Sequence, residues 1–183
     1  MTSATERVVL IDSNYQPIGT AEKASIHDEN TPLHLAFSCY LFNDLNQVLL
    51  TRRSLEKIAW PGVWTNSFCG HPLPEEVFSD AVYRRADYEL GAKISDIRCV
   101  CEEFHYYARD SSGVIENEFC PVFQARLSSE LAPRATEVAD FVWIDFDELL
   151  HSVQSAPFAF SPWMCEQLSK RELVAHIKQG LLF

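Results

Sequence analysis

The sequence predicts an α/β (α+β) fold, a mixed β-sheet sandwiched between helices, with an N-terminal β-hairpin extension. Three observations carry this. β-rich apolar runs bounded by turn residues recur between positions 33 and 144; a helical spacing of apolar residues covers 75–90; and a Ser-Pro pair opens a further helix at 161–162. With 183 residues, 47% hydrophobic and 12% aromatic, the chain can bury a sizeable core. No repeat, low-complexity tract or linker divides it, so one domain is expected over residues 1–183.

In chain order, ERVVLIDSNYQPIGTAEK reads as a short hairpin about a Ser-Asn turn, and KASIHDENTPLHL, polar and turn-rich, as a loop. Leu33 to Phe42 is apolar on both faces and pairs, across Asn43 to Asn46, with Val48 to Thr51. Trp60 to Asn66 is a loop feeding a short strand that ends near Cys69. From Glu75 to Leu90 the residues Val77, Ala81, Val82, Ala86 and Leu90 recur at three- and four-residue steps, and Gly91 follows as a C-cap. Strands are expected at about 97–107, 114–127 and 140–144, with Pro121 marking a bulge or an edge. One helix covers Asp145 to Val153, and another runs from Ser161-Pro162, an N-cap serine with proline at the first helical position, to about Gln179.

Fifteen Lys and Arg against 26 Asp and Glu give a net charge of -11, which argues against a nucleic-acid binder or a reader of anionic membranes. An anionic ligand would need cations gathered locally. The start MTSATERVVLID lacks the basic end and apolar run of a leader, and no run is long enough to span a membrane, so a soluble cytoplasmic protein, monomer or homodimer, is expected. Six cysteines at 39, 69, 99, 101, 120 and 165 form no Cys-x-x-Cys pair and read mostly as reduced, buried thiols.

The segment GHPLPEEVFSDAVYRRADYELGA places Glu76 five residues after Gly70, Arg84 after seven more, then Glu89, Gly91 and Ala92. This resembles the Nudix box, G-x5-E-x7-R-E-U-x-E-E-x-G-U, whose helix carboxylates hold Mg²⁺ against a diphosphate. Two positions depart from it: Arg85 stands where the box has a glutamate, and Tyr88 stands where it has another. Glu89 and Arg85, four apart, remain on one helix face, so binding of a diphosphate is expected to survive and its cleavage is not.

Cys69 and His71, two apart in an extended segment, share a face, as do Glu116 and Glu118 further on. With His27 and His34 these make a plausible mixed nitrogen and oxygen site for Mn²⁺, Mg²⁺ or Zn²⁺, although no spacing among them is diagnostic by itself.

The segments TRRSLEKIAWPGVWTNSFCGHP, YYARDSSGVIENEFCPVF and AFSPWM then resemble type 1 isopentenyl diphosphate isomerase, a Nudix-superfamily enzyme, and the likeness runs from Glu22 through Trp163. It implies a Nudix core over about 32–166 and interconversion of isopentenyl and dimethylallyl diphosphate, in isoprenoid precursor biosynthesis, through a tertiary carbocation-like intermediate. It further implies metal ligands His27, His34, His71, Glu116 and Glu118, a catalytic Cys69 and Glu118 with an assisting Tyr106, and Mg²⁺ brought with the diphosphate on Glu89. Lys23, Arg53, Lys57 and Arg85 are implied to grip the diphosphate, and Trp163 to face the carbocation. Two rivals compete: a Nudix diphosphohydrolase, which needs the box carboxylates lost at Arg85 and Tyr88, and a non-catalytic diphosphate-binding module, which leaves Cys69, Tyr106 and the His/Glu set without a shared purpose.

Overall fold

In the computed structural model, which describes residues 6–182, the chain opens with the expected hairpin of β1 (Arg7–Ile11) and β2 (Pro17–Glu22). Asp12 sets its turn by accepting the N–H groups of Asn14 (2.8 Å) and Gln16 (2.9 Å). The leader-free start expected over residues 1–5 lies outside the described residues. The next segment is not all loop: Lys23–Ile26 forms one helical turn, α1, anchored by the buried Ile26. Four residues are too few to show a helical period in sequence.

Three expected single strands prove to be pairs. Residues 33–42 divide into β3 (His34–Leu35) and β4 (Phe37–Phe42), after which β5 (Gln47–Arg53), β6 (Trp64–Thr65) and β7 (Phe68–Gly70) follow. Helix α2 (Phe78–Leu90) starts three residues later than the apolar spacing suggests. The loop before it is closed by Glu76, which accepts from the Leu73 N–H (2.8 Å) and from Arg84 (2.8 and 2.7 Å), so Val77 is an exposed N-cap rather than a core residue. Gly91 ends the helix at φ 57°, and a Cβ there would stand 2.6 Å from the Ala132 carbonyl oxygen, so both conformation and space demand glycine.

Beyond α2 come β8 (Ile94–Cys101) and β9 (His105–Arg109), which divide the expected strand 97–107. They are followed by β10 (Ile115–Phe119) and β11 (Val122–Leu127), which divide 114–127 at Pro121, then by β12 (Val138–Asp145). Asp145 caps α3 (Phe146–Ser155) through the N–H groups of Asp147 and Glu148. The single helix expected from 162 to 179 is two, α4 (Pro162–Ser169) and α5 (Arg171–Gly180), broken at Lys170, whose backbone is extended at φ -81°, ψ 110°. On one straight helix, Leu168 and Leu173 would point roughly 140° apart, since each residue turns about 100°. The break lets both enter the same core.

The strands form two sheets, one ordered β2-β1-β3-β10-β9, the other β12-β5-β4-β11-β8 with β6 and β7 paired alongside β5 and β4. In the second, the central strand β4 is buried on both faces. Phe37, Cys39 and Leu41 of β4 pack towards α2, while Tyr40 and Phe42 pack towards α3, α4 and α5. This is the expected sheet between helices, and each such wholly buried aromatic or leucine contributes about 1.5–3 kcal/mol. Two parallel strands cross together from one sheet to the other: β3 beside β10 continues into β4 beside β11. The crossing is stitched by the Ala36 N–H to the Phe119 carbonyl (2.9 Å) and the Ser38 N–H to the Pro121 carbonyl (3.1 Å). A proline without a ladder donor is tolerated there because the chain is changing sheets. All six cysteines are free, but only Cys39 and Cys120 are buried; Cys99 is exposed. No helix among the described residues is long and apolar enough to cross a membrane.

Candidate active site

At this crossing lies a cavity of about 370 Å³. Twelve of the thirteen residues singled out from sequence line it, and His34, wholly buried, lies directly behind. Backbone pairing explains the convergence. Glu118 of β10 is in register with His34 of β3 on one side and with Tyr106 of β9 on the other. His27 caps α1 and His71 follows β7, which bring two more imidazoles to the same point.

One ligand atom from each of His27, His34, His71 and Glu118 falls within 4.8 Å of the others. Nδ1 of His34 lies 2.9 Å from the Pro32 carbonyl and so donates to it, which leaves the Nε2 lone pair facing the cluster. His34 Nε2 and His71 Nε2 stand 3.5 and 3.1 Å from Glu118 Oε1, and His27 Nε2 stands 3.1 Å from Glu116 Oε2. Yet His27 Nε2, His34 Nε2 and Glu116 Oε2 are buried without a properly directed hydrogen bond. Buried acceptors aimed at one another without a donor are costly, and a divalent cation at their centre is what they fit. Glu116 joins the set through His27. Burial holds His71 well below its ordinary range, so its imidazole is neutral. Burial also opposes charge on Glu118, but His34 and His71 outweigh it and keep that carboxyl well below the usual range; burial and the neighbouring Glu118 push Glu116 up. The structure therefore supports a divalent-metal site of histidine and glutamate.

Beside the cluster, the Tyr106 hydroxyl donates to Glu118 Oε2 (2.7 Å), and burial together with Glu118 keeps that phenol protonated, well above its ordinary range. Burial likewise pushes the Cys69 thiol up to about 11, despite opposing hydrogen-bond contacts with Ser38 and Asn66, both at 3.4 Å. The Trp163 ring lies against Tyr106 at 5.8 Å and beneath the Arg53 guanidinium at 5.4 Å.

The same cavity is lined by the four cations, set among Glu89 and two carboxylates that the sequence does not flag, Glu6 and Glu137. Lys23 pairs with Glu6 (3.0 Å), Lys57 with Glu137, and Arg85 with Glu89, while Arg85 also faces Glu6 (3.5 Å) and Glu137 (3.4 Å). Arg53 instead donates to backbone carbonyls, that of Ala59 at 2.7 Å among them. Three of the four cations are thus matched by a carboxylate, and Arg53 is not. Arg85 is almost wholly buried, and its side chain passes over Gly70, where a Cβ would meet its Cγ at 2.6 Å. Burial opposes its charge, but Glu89, Glu6 and Glu137 raise it above its ordinary range. Burial opposes the Glu89 charge too, and Arg85 and Lys57 hold that carboxyl ionised. Neither Glu6, just ahead of a strand, nor Glu137, after a loop, bears a local sequence signal. Glu137 is delivered because the preceding loop is bound to the end of α2, the Arg134 N–H donating to the Glu89 carbonyl (2.9 Å).

Of the box positions, Glu76 is committed to Arg84, and Arg84 reaches the His71 carbonyl (2.9 Å), so this pair ties the loop to the helix. Tyr88 lies outside the cavity, exposed under the guanidinium of Arg134.

The NUDIX domain family matches residues 32–164. Named isopentenyl-diphosphate Delta-isomerases align along most of the chain. That of Kocuria rhizophila is 53% identical over 93% of this chain and 95% of its own. That of Paenarthrobacter aurescens is 56% identical over 88% of each, and that of Salmonella paratyphi B is 52% identical over 91% and 92%. Among solved structures, one from Deinococcus radiodurans superimposes with a TM-score of 0.69 at 18% identity, covering 90% of this chain and 98% of that one. A MutT protein from Methanosarcina mazei gives 0.58 at 15%, covering 81% and 95%. These two similarities show the fold.

Proposed function

The chain belongs to the NUDIX family and, within it, to the isopentenyl-diphosphate Delta-isomerases, and from that premise we propose how its residues divide the work. The enzyme interconverts isopentenyl and dimethylallyl diphosphate, acting on a small isoprenoid diphosphate. One proton is added to the terminal alkene carbon and another is removed beside the carbon that bears the diphosphate. Protonating an unactivated alkene needs an acid in a dry pocket and a base on the opposite face.

Cys69 and Glu118 are the two proton carriers, and Tyr106 holds and shares the proton at Glu118 Oε2 through its 2.7 Å bond. One observation carries this assignment: Cys69, Glu118 and Tyr106 line the same cavity as Lys23, Lys57, Arg53 and Arg85. Trp163 offers its ring to the tertiary carbocation, worth roughly 0.5–2 kcal/mol. Lys23, Arg53, Lys57 and Arg85 grip the diphosphate, with Lys23, Lys57 and Arg85 shared between it and their carboxylate partners, and Glu89 accepts the Mg²⁺ that accompanies it. The donors His27, His34, His71, Glu116 and Glu118 fit Mn²⁺, Mg²⁺ or Zn²⁺, and such an ion would supply the positive charge that holds Glu118 in place and tunes its acidity.

The diphosphohydrolase reading fails on the same helix. With Glu76 engaged by Arg84, Arg85 in place of a box glutamate and Tyr88 outside the cavity, Glu89, itself paired with Arg85, is the one box carboxylate that lines the cavity. Incubation of metal-reconstituted protein with isopentenyl diphosphate should yield dimethylallyl diphosphate with the diphosphate intact, read by phosphorus and proton magnetic resonance. Inorganic phosphate as the main product would favour the hydrolase, and unchanged substrate the binding module.

A further inference from the structure

Asn66 is wholly buried, carries no charge and belongs to none of the metal, cation or proton-carrying sets. Its carboxamide nevertheless touches two of the groups on which the proposed reaction depends. Oδ1 accepts the indole N–H of Trp163 (2.9 Å) and the hydroxyl of Thr65 (2.9 Å). Cys69 Sγ lies 3.4 Å from both Oδ1 and Nδ2. Nδ2 donates to the carbonyls of Cys39 (3.1 Å) and Phe68 (2.9 Å). These contacts fix the amide's orientation, because a flip would set Oδ1 against two carbonyls and Nδ2 against an indole N–H.

The thiol and the ring come from distant parts of the chain, β7 and α4, and the amide touches both. Two further ties join these regions: the first runs from Cys69 Sγ through Ser38 Oγ (3.4 Å) to Gln167 Nε2 of α4 (3.0 Å). The second runs from Thr65 Oγ1 to Ser161 Oγ (2.8 Å), with the Ser161 N–H on the Trp64 carbonyl (2.8 Å). This is why the Ser161 hydroxyl does not cap α4 as its sequence position suggests. Replacing both partners of a buried hydrogen bond by apolar groups of the same shape is often neutral for stability. What apolar packing does not supply is direction. The N–H bond sets the plane of the indole, and the sulfur contacts set where the thiol points.

We infer that Asn66 is a positioning residue for the isomerisation, holding the Cys69 thiol and the Trp163 indole in a fixed relation across the five-carbon unit of the substrate. The inference rests on the roles proposed above for Cys69 and Trp163. Loss of the amide leaves both groups present and breaks no hydrogen bond or ion pair of Lys23, Arg53, Lys57 or Arg85. Small displacements of a reacting group are expensive, about 100-fold in rate for 1 Å.

In Asn66→Ala and Asn66→Ser, kcat should therefore fall at least about tenfold while KM stays within about threefold. Trp163→Phe, which removes the N–H and keeps an aromatic ring, should cost less in the Asn66→Ala background than in the wild type. The same Trp163→Phe variant assigns the Trp163 signal in ¹⁵N-labelled protein, and that signal should shift and exchange faster with solvent in Asn66→Ser. Where Asn66→Ala does not fold, Asn66→Ser retains a small polar side chain and carries the same measurements. If the wild type isomerises and a folded Asn66 variant loses less than about tenfold in kcat, or keeps the indole signal unmoved, Asn66 is structural only and the inference is overturned. A wild type that does not isomerise would instead overturn the roles of Cys69 and Trp163 themselves.

Discussion

Cys69→Ala and Glu118→Gln should each lower isomerase turnover by roughly 10² to 10⁴, the usual contribution of a positioned acid or base. With Cys69 and Glu118 as the proposed carriers, each face of the allylic unit has one, so no neighbour is expected to substitute. Cys120, also near Ser38, is held away from the cavity and is not among its lining residues. Glu118 is the more demanding case because it also belongs to the metal cluster and accepts from Tyr106. The measurement is steady-state turnover on protein whose circular dichroism and bound metal match the wild type. Retention of more than about a tenth of wild-type turnover, a loss under roughly 1.4 kcal/mol, would remove that residue from the proton path.

Metal removal should have the second large effect. Protein stripped by a chelator is expected to lose its activity and regain it with Mn²⁺, Mg²⁺ or Zn²⁺. It should also melt lower. His27 Nε2, His34 Nε2 and Glu116 Oε2 are buried acceptors that only a cation satisfies together, so an ion that binds the folded chain stabilises it. At 100 times its dissociation constant that is about 2.7 kcal/mol, or roughly 5–10 °C for a domain of this size. Full activity and an unchanged melting temperature in metal-free protein would take the site out of both mechanism and fold.

Much of the site is legible in the sequence because its residues sit in short patterned segments. Glu116 and Glu118 share a strand face, Cys69 and His71 flank one glycine, and Glu89 follows Arg85 by one helical turn; all three pairs appear as those spacings require. Helix α2 and its Gly91 cap are legible for the same reason. The crossing of the strands is not. Residues 33–42 carry apolar residues on both faces, and nothing in that run marks Ala36 as the point where the chain leaves one sheet for the other. Glu6 and Glu137 are illegible for another reason: their partners lie 17 and 80 residues away, and a lone glutamate near a strand end looks like solvated surface. The break at Lys170 is imposed by packing, since Met164 with Leu168 and Leu173 with Ile177 must reach one core from two directions.

On the proposed division of roles, a degenerate diphosphate-binding box has left the chemistry to carbon, at Cys69 and Glu118. The direct measurement is turnover of isopentenyl diphosphate in deuterated water, with the product read by proton, deuterium and phosphorus magnetic resonance. Deuterium bound to carbon in dimethylallyl diphosphate, with the diphosphate intact, is the predicted result, because the added proton comes from an exchangeable acid. Phosphate or monophosphate as the main product, with no carbon-bound deuterium, would contradict it.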